Sequence, residues 1–245
     1  MKKQKSFAPE IALEERVFGN FIINQVAKNA DRPYLGFLQK RWTYAEFFNE
    51  SQKLAKGLNQ LGVGTQQPVI LLMHNSAEFM LAYWALSFLN AIVVPVNTSL
   101  KGDTLAYLLK DVSARAVIAD ASLVDNLAML QKEQLQDIDA LIVVGAESKP
   151  IHPLPIKKVL TWDEVCNTGL AGGVFCAPSR FDDIHLIPYT SGTTGPSKGV
   201  LVPYAHTFQT SLTCINTVGI TRDDIIYAPL PLFHGMSRSM ACLPA

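Results

Sequence analysis

The chain has 245 residues, 49% of them hydrophobic and only 17% charged, well below the roughly 25% charge content of an average soluble domain. Apolar burial at that level can offset the ordering entropy, which excludes intrinsic disorder for most of the chain. Lys plus Arg and Asp plus Glu both number 21, so the formal net charge is zero, and the basic excess that neutralises phosphates in a nucleic-acid-binding protein is missing. The Met1-Lys2-Lys3-Gln4-Lys5 start is basic, but no apolar run follows it, so no signal peptide is read there. Cys166, Cys176, Cys214 and Cys242 are scattered without C-x-x-C spacing. They predict free thiols in a reducing compartment, and a cytoplasmic location. His74, His152, His185, His206 and His234 are equally dispersed, and no metal site follows from their spacing.

Leu13 to Ala30 predicts an amphipathic helix with Val17, Phe18, Phe21, Ile22 and Val26 on one face. Tyr34 to Leu38 predicts a strand. Thr43-Tyr44-Ala45-Glu46 has the spacing of a capping box, and the helix after it carries Phe47, Phe48, Leu54, Leu58 and Leu61 before Gly62 stops it. Pro68 to Met73 is an apolar strand. Phe79 to Leu100 carries no charge and is about as long as a transmembrane helix. Ser87 and Asn90 interrupt it, however, and Pro95 sits near its end. The better reading is a buried helix capped by Ser76 and running to about Asn90, then a buried strand from Ala91 to Val96. Gly102 to Asp111 and Ser122 to Gln131 predict helices. Arg115 to Ala119 and Ala140 to Val144 predict strands.

Residues 145–180 hold Pro150, Pro153, Pro155, Gly169, Gly172, Gly173 and Pro178, and are expected to form an irregular connector with a short helix at Trp162 to Asn167. Strands are then expected at Asp183 to Tyr189, Gly199 to Pro203 and Asp224 to Ala228, with a helix from Ala205 to Val218. Apolar strands alternating with helices predict an α/β fold: a mostly parallel sheet flanked by helices, with the start of a second α/β sheet. The expected organisation is a first subdomain over 1–180 and an incomplete second one over 181–245.

The segment that carries chemistry is Tyr189-Thr190-Ser191-Gly192-Thr193-Thr194-Gly195-Pro196-Ser197-Lys198-Gly199. Seven of the nine residues from Thr190 to Lys198 are Gly or hydroxyl-bearing, and the run ends in one cation. Glycines let backbone amides turn inward on an anion. Hydroxyls donate to phosphate oxygens, and a lysine adds a mobile point charge. It is not a Walker loop: counted from Gly192, Ser197 holds the place of the second Gly, and Lys198 is followed by Gly199. On composition alone, a flexible loop of small polar residues is an equal reading.

The complete string resembles the signature loop of the adenylate-forming (AMP-binding) superfamily: acyl-CoA synthetases, luciferases and peptide-synthetase adenylation domains. Val94-Pro95-Val96-Asn97-Thr98, the run through Leu108, Asp111 and Arg115-Ala116-Val117-Ile118, and Pro229-Leu230-Pro231-Leu232-Phe233-His234-Gly235 are also similar to segments of that family. Together they most resemble acyl-CoA synthetases of the carnitine/crotonobetaine-CoA ligase-like group. The resemblance implies an acid–thiol ligase that uses ATP, Mg2+ and CoA to turn a carboxylic acid into an acyl-adenylate and then a thioester. It implies Thr190, Ser191, Gly192, Thr193, Thr194, Gly195 and Lys198 as the phosphate-binding set, with Thr193 and Lys198 catalytic, and Phe233, His234 and Gly235 in the acyl pocket. The implied partners are small molecules, with no nucleic acid, no transmembrane segment, and room for a homo-oligomer.

Two departures qualify the resemblance. Tyr204 stands where the family often has a histidine, with His206 two residues on. No Y-G-x-T-E string occurs, and the family's ribose-binding aspartate and mobile C-terminal domain have no counterpart. The sequence therefore reads as the N-terminal part of a longer enzyme, inactive alone. Two other readings are kept: a non-catalytic nucleotide-binding or interaction module, and a serine hydrolase built on Gly235-Met236-Ser237-Arg238-Ser239, in which Ser239 replaces the second Gly of G-x-S-x-G.

Overall fold

The computed structural model describes residues 10–148, 153–170, 172–190 and 197–239. The first predicted helix is divided. A 3-10 turn at Leu13–Glu15 is followed by Val17 in extended conformation, and α1 runs over Phe18–Asn29. β1 (Pro33–Phe37) turns at Leu38, which takes φ 51°, into β2 (Lys40–Thr43), an antiparallel partner. The capping box forms as its spacing predicts: Glu46 N–H donates to Thr43 Oγ1 at 3.2 Å, and Thr43 N–H donates to Glu46 Oε2 at 2.8 Å. It starts α2 (Tyr44–Gln60), and Gly62 with φ 93° follows its end.

The next elements alternate. β3 is Pro68–Leu72 and α3 is Ala77–Phe88, capped by Ser76 Oγ accepting from Phe79 N–H at 3.1 Å. Then come β4 (Ile92–Pro95), α4 (Gly102–Asp111), β5 (Ala116–Asp120), α5 (Val124–Ala128), α6 (Lys132–Leu135) and β6 (Ala140–Val144). Within the expected connector the short helix forms as α7 (Trp162–Thr168), and a strand that was not expected, β7 (Lys158–Thr161), precedes it. β8 (Ile184–Leu186), β9 (Val202–Pro203), α8 (Tyr204–Val218) and the single turn α9 (Gly235–Ser237) follow among the described residues. The uncharged 79–100 stretch is thus a buried helix and a strand. Among the described residues no helix is long and apolar enough to cross a membrane.

The sheet order is β7-β6-β5-β3-β4-β8-β9, parallel throughout except for the β8–β9 pair. β8 and β9 are joined to this one sheet, where the sequence pattern anticipates the opening of a second. The fold class is α/β, a mostly parallel sheet flanked by helices. Along β3, Val69 and Leu71 face the core under α2 and α3, while Ile70 and Leu72 face the core under α4 and α5. A strand covered on both sides reads as an unbroken apolar run. α3 is buried all round for the same reason, its residues apolar on every face. The predicted strand at 224–228 does not form. No described strand lies beside it, and Ile225 and Tyr227 are 98% and 84% exposed.

Two close approaches set helix positions. A Cβ on Gly57 of α2 would lie 2.0 Å from the Val165 carbonyl oxygen of α7, and one on Gly169 would lie 1.9 Å from the Lys53 carbonyl oxygen. A buried polar group joins β8 to three helices. His185 is fully buried, stacks on Tyr204 of α8 and Phe18 of α1, and has Nδ1 3.2 Å from Thr207 Oγ1 of α8 and Nε2 3.4 Å from Ser87 Oγ of α3. Burial, and secondarily the charge of Arg238, hold this imidazole well below its usual range, so it is neutral.

Candidate active site

In parallel α/β sheets ligands gather outside the carboxyl ends of the strands. Thr190 and Lys198 lie there, past the end of β8. Tyr189 and Gly199 form an antiparallel bridge, Val200 N–H donates to the Pro188 carbonyl at 3.0 Å, and Thr190 N–H donates to the Lys198 carbonyl at 3.1 Å. This ladder closes the base of the polar loop and delivers Lys198, exposed, at its far side. Ser191, Gly192, Thr193, Thr194 and Gly195, the rest of the expected phosphate-binding set, lie outside the described residues.

Tyr189 anchors the ladder. Its hydroxyl donates to Asp111 Oδ2 at the end of α4, and burial, then this carboxylate, push the phenol upward, so it stays a neutral donor. Gly199 is required beside it: a Cβ there would lie 2.8 Å from Ile187 Cγ2 and 3.2 Å from Tyr189 Cζ.

The second predicted group, Phe233, His234 and Gly235, sits on a turn held against the same edge by residues the sequence did not single out. Asn75, just past β3, donates from Nδ2 to the Leu230 carbonyl at 2.9 Å and accepts at Oδ1 from Leu232 N–H at 2.7 Å. Arg238, buried, donates from one terminal nitrogen to the carbonyls of Leu232 at 3.0 Å and Phe233 at 3.3 Å. Phe233 is half-buried and His234 exposed, with His234 Nδ1 accepting from Met236 N–H at 3.3 Å as the cap of α9. Next to Asn75, His74 points its Nδ1 at Asp120 Oδ2 of β5, 2.9 Å away. The edge therefore collects a loop ending in a cation, an imidazole, and a half-buried aromatic. That set suits an anionic group joined to an organic one. Among the described residues no group of three or more His, Cys, Asp or Glu side chains is placed to hold a metal ion, so no protein ligand is assigned to Mg2+.

Across this architecture, a family model described as AMP-binding enzyme matches residues 22–245. The chain belongs to the AMP-binding enzyme family. Among curated relatives, a 4-coumarate–CoA ligase of Pinus taeda is 29% identical over an alignment of 250 positions that covers 98% of this chain and 44% of that one. A 2-succinylbenzoate–CoA ligase of Geobacillus sp. (strain WCH70) is 31% identical, over 82% of this chain and 36% of that protein. The chain thus spans less than half the length of these relatives. Among solved structures, an anthranilate CoA ligase in complex with anthranoyl-AMP superposes with a TM-score of 0.80 at 24% identity, covering 91% of this chain and 41% of the other. That likeness establishes the shared fold.

Within this AMP-binding fold the alternative nucleophile finds no support. Ser237 is buried, and among the described residues its hydroxyl has no hydrogen-bonding partner and so no base beside it. Tyr204, which stands where the family often has histidine, is buried against His185, while His206 is exposed.

Proposed function

We propose that this chain supplies the phosphate loop and one wall of the acyl pocket of an AMP-forming acid–thiol ligase. A substrate carboxylate oxygen attacks the α-phosphorus of ATP, the bond to the β-phosphate oxygen breaks, and acyl-adenylate and pyrophosphate result. The thiol of CoA then displaces AMP to give the thioester. The observation that carries this reading is the ladder of Tyr189, Thr190, Lys198 and Gly199, which fixes the ends of the glycine- and hydroxyl-rich loop at the carboxyl edge of the sheet. In this assignment Thr190 to Gly195 donate to the β- and γ-phosphates, with Thr193 and Lys198 facing the charge that develops on the leaving pyrophosphate. Mg2+, when bound with ATP, supplies further neutralisation of that charge. Phe233, His234 and Gly235 line the acid's side. The named relatives act on 4-coumarate and 2-succinylbenzoate, which makes aromatic carboxylates the first acids to test. A cytoplasmic setting accords with the free thiols of Cys166, Cys176 and Cys214.

The test is acid-dependent ATP–pyrophosphate exchange by the gene product that carries these residues, over aromatic and aliphatic acids. Exchange with at least one acid is the expected result. Nucleotide binding without exchange for any acid would favour the non-catalytic module.

A further inference from the structure

We propose that the amino edge of the sheet, opposite the loop, holds a second binding site for a small amphipathic organic anion. β3, β5, β6 and β7 begin at this edge, with Pro68, Ala116, Ala140 and Lys158. Between these first residues and the end of α2 lies a cavity of about 450 Å³, within the range of small-molecule sites. Its wall is cationic, with Arg115, Lys157 and Lys158 set against Asp139. Leu61 and Pro68, half-buried, line its floor, backed by the buried Val63, Val69, Ala116 and Ala140.

The charges do not cancel. Arg115 Nε donates to Asp139 Oδ2 and Lys157 Nζ to Oδ1, each at 2.5 Å, and these cations, Lys157 foremost, hold the Asp139 carboxyl below its usual range. One carboxylate among three cations leaves two positive charges in excess. The carbonyl end of α2, at Leu61 and Gly62, offsets part of that with a helix-terminus charge of about one half. Exposed charge alone binds weakly, because water and salt screen it. Here the cations border an open hollow of mixed polar and apolar lining, in which Leu61 and Pro68 are the accessible apolar residues, so a ligand that joins one anionic head to a short apolar body gains from both. A carboxylate or phosphate monoester on a chain or ring fits this chemistry, whereas a bare inorganic anion gains only the screened contribution. Asp139 is itself a carboxylate gripped by Arg115 and Lys157, and so competes with any ligand for them.

That competition gives the test its direction. The 245-residue chain is titrated with hexanoate, benzoate and inorganic phosphate while its backbone amide resonances are followed. Hexanoate or benzoate should give saturable shifts at Val63, Val69, Ala116 and Ala140, with phosphate weaker. Asp139→Asn frees two cations and should tighten binding about threefold, and Lys158→Ala should weaken it by a similar factor, the scale of one exposed ion pair. An ion cluster that only braces the fold does not bind more tightly when its carboxylate is neutralised. The proposal is overturned if no probe gives saturable shifts at these residues in the wild type, or if Asp139→Asn leaves binding unchanged or weaker.

Discussion

His185 and Tyr204 lie face to face, their ring centroids 4.3 Å apart and their planes 17° from parallel. The imidazole is buried and neutral, with its ionisation displaced downward by desolvation and by Arg238. The unfolded chain takes up a proton below about pH 6.5, where the folded one does not. Stability is therefore full above that pH and falls as the pH drops towards the folded value, by up to ~1.4 kcal/mol per pH unit. Thermal unfolding between pH 7.5 and 5 should show this slope, and His185→Asn should flatten it. Equal slopes in the two proteins would show that another group controls the acid side.

The Asn75 carboxamide spans Pro231 by bonding the backbone on both sides of it. Asn75→Ala removes two hydrogen bonds, each worth about 1 kcal/mol, so a loss of ~1–2 kcal/mol is expected. Its signature is local: amide exchange at Leu232 should accelerate while that of the β3 core stays protected. Unchanged exchange at Leu232 would mean that Arg238 alone is enough to hold the turn.

Gly57→Ala tests the seam between α2 and α7. Alanine improves helix propensity by about 1 kcal/mol, so propensity alone predicts a gain. The added methyl would, however, meet the Val165 carbonyl oxygen at 2.0 Å, and overpacking against backbone costs up to ~3 kcal/mol or more. The clash should win, and the urea midpoint should fall. A midpoint at or above wild type would show that α7 yields freely.

Lys198→Ala bears on the proposed chemistry. If Lys198 meets charge that develops in the transition state, exchange should fall by about 10²–10³-fold, with the acid's own binding changed far less. Lys198→Arg should recover part of the loss, since it keeps the charge with altered geometry. A mutant that raises only the concentration of acid needed for half-maximal exchange would place Lys198 on the acid's side.

Much of the fold was legible because its signals are local. The Thr43–Glu46 box, the Ser76 cap, and the apolar runs of β3, β4 and β6 each encode their element within a few residues. β2 was hidden because its turn places positive φ at Leu38, with no Gly or Asn to announce it. β7 was hidden because Lys158–Thr161 is short and half-exposed, and lies at the sheet edge among prolines. The short apolar run at 224–228 gave a strand where no described strand pairs with it, since local composition does not specify a partner. In the candidate site the loop announced itself by composition. Asn75 and Arg238 did not, because what they hold becomes visible only once distant segments meet.

The seam that carries the loop has a further consequence. β8 joins the sheet through one registered pair, Val93 with Leu186, and the Ile187 N–H to Val93 carbonyl bond beside it. These partners are about ninety residues apart, so forming the seam closes a long loop, whose entropic cost grows with its length. β3, β5 and β6 pair over shorter spans and longer registers. Assembly should therefore proceed from β3, β5 and β6 outward, with β8 docking late. In the folded protein the short pairing should also rank the openings, with the β8–β9 corner expected to separate at a lower free energy than the sheet centre. Thr190 and Lys198, assigned to phosphate, thus adjoin a sheet corner with few registered pairs, and a ligand that bridges the 190–198 loop and the 230–235 turn would tie that corner down.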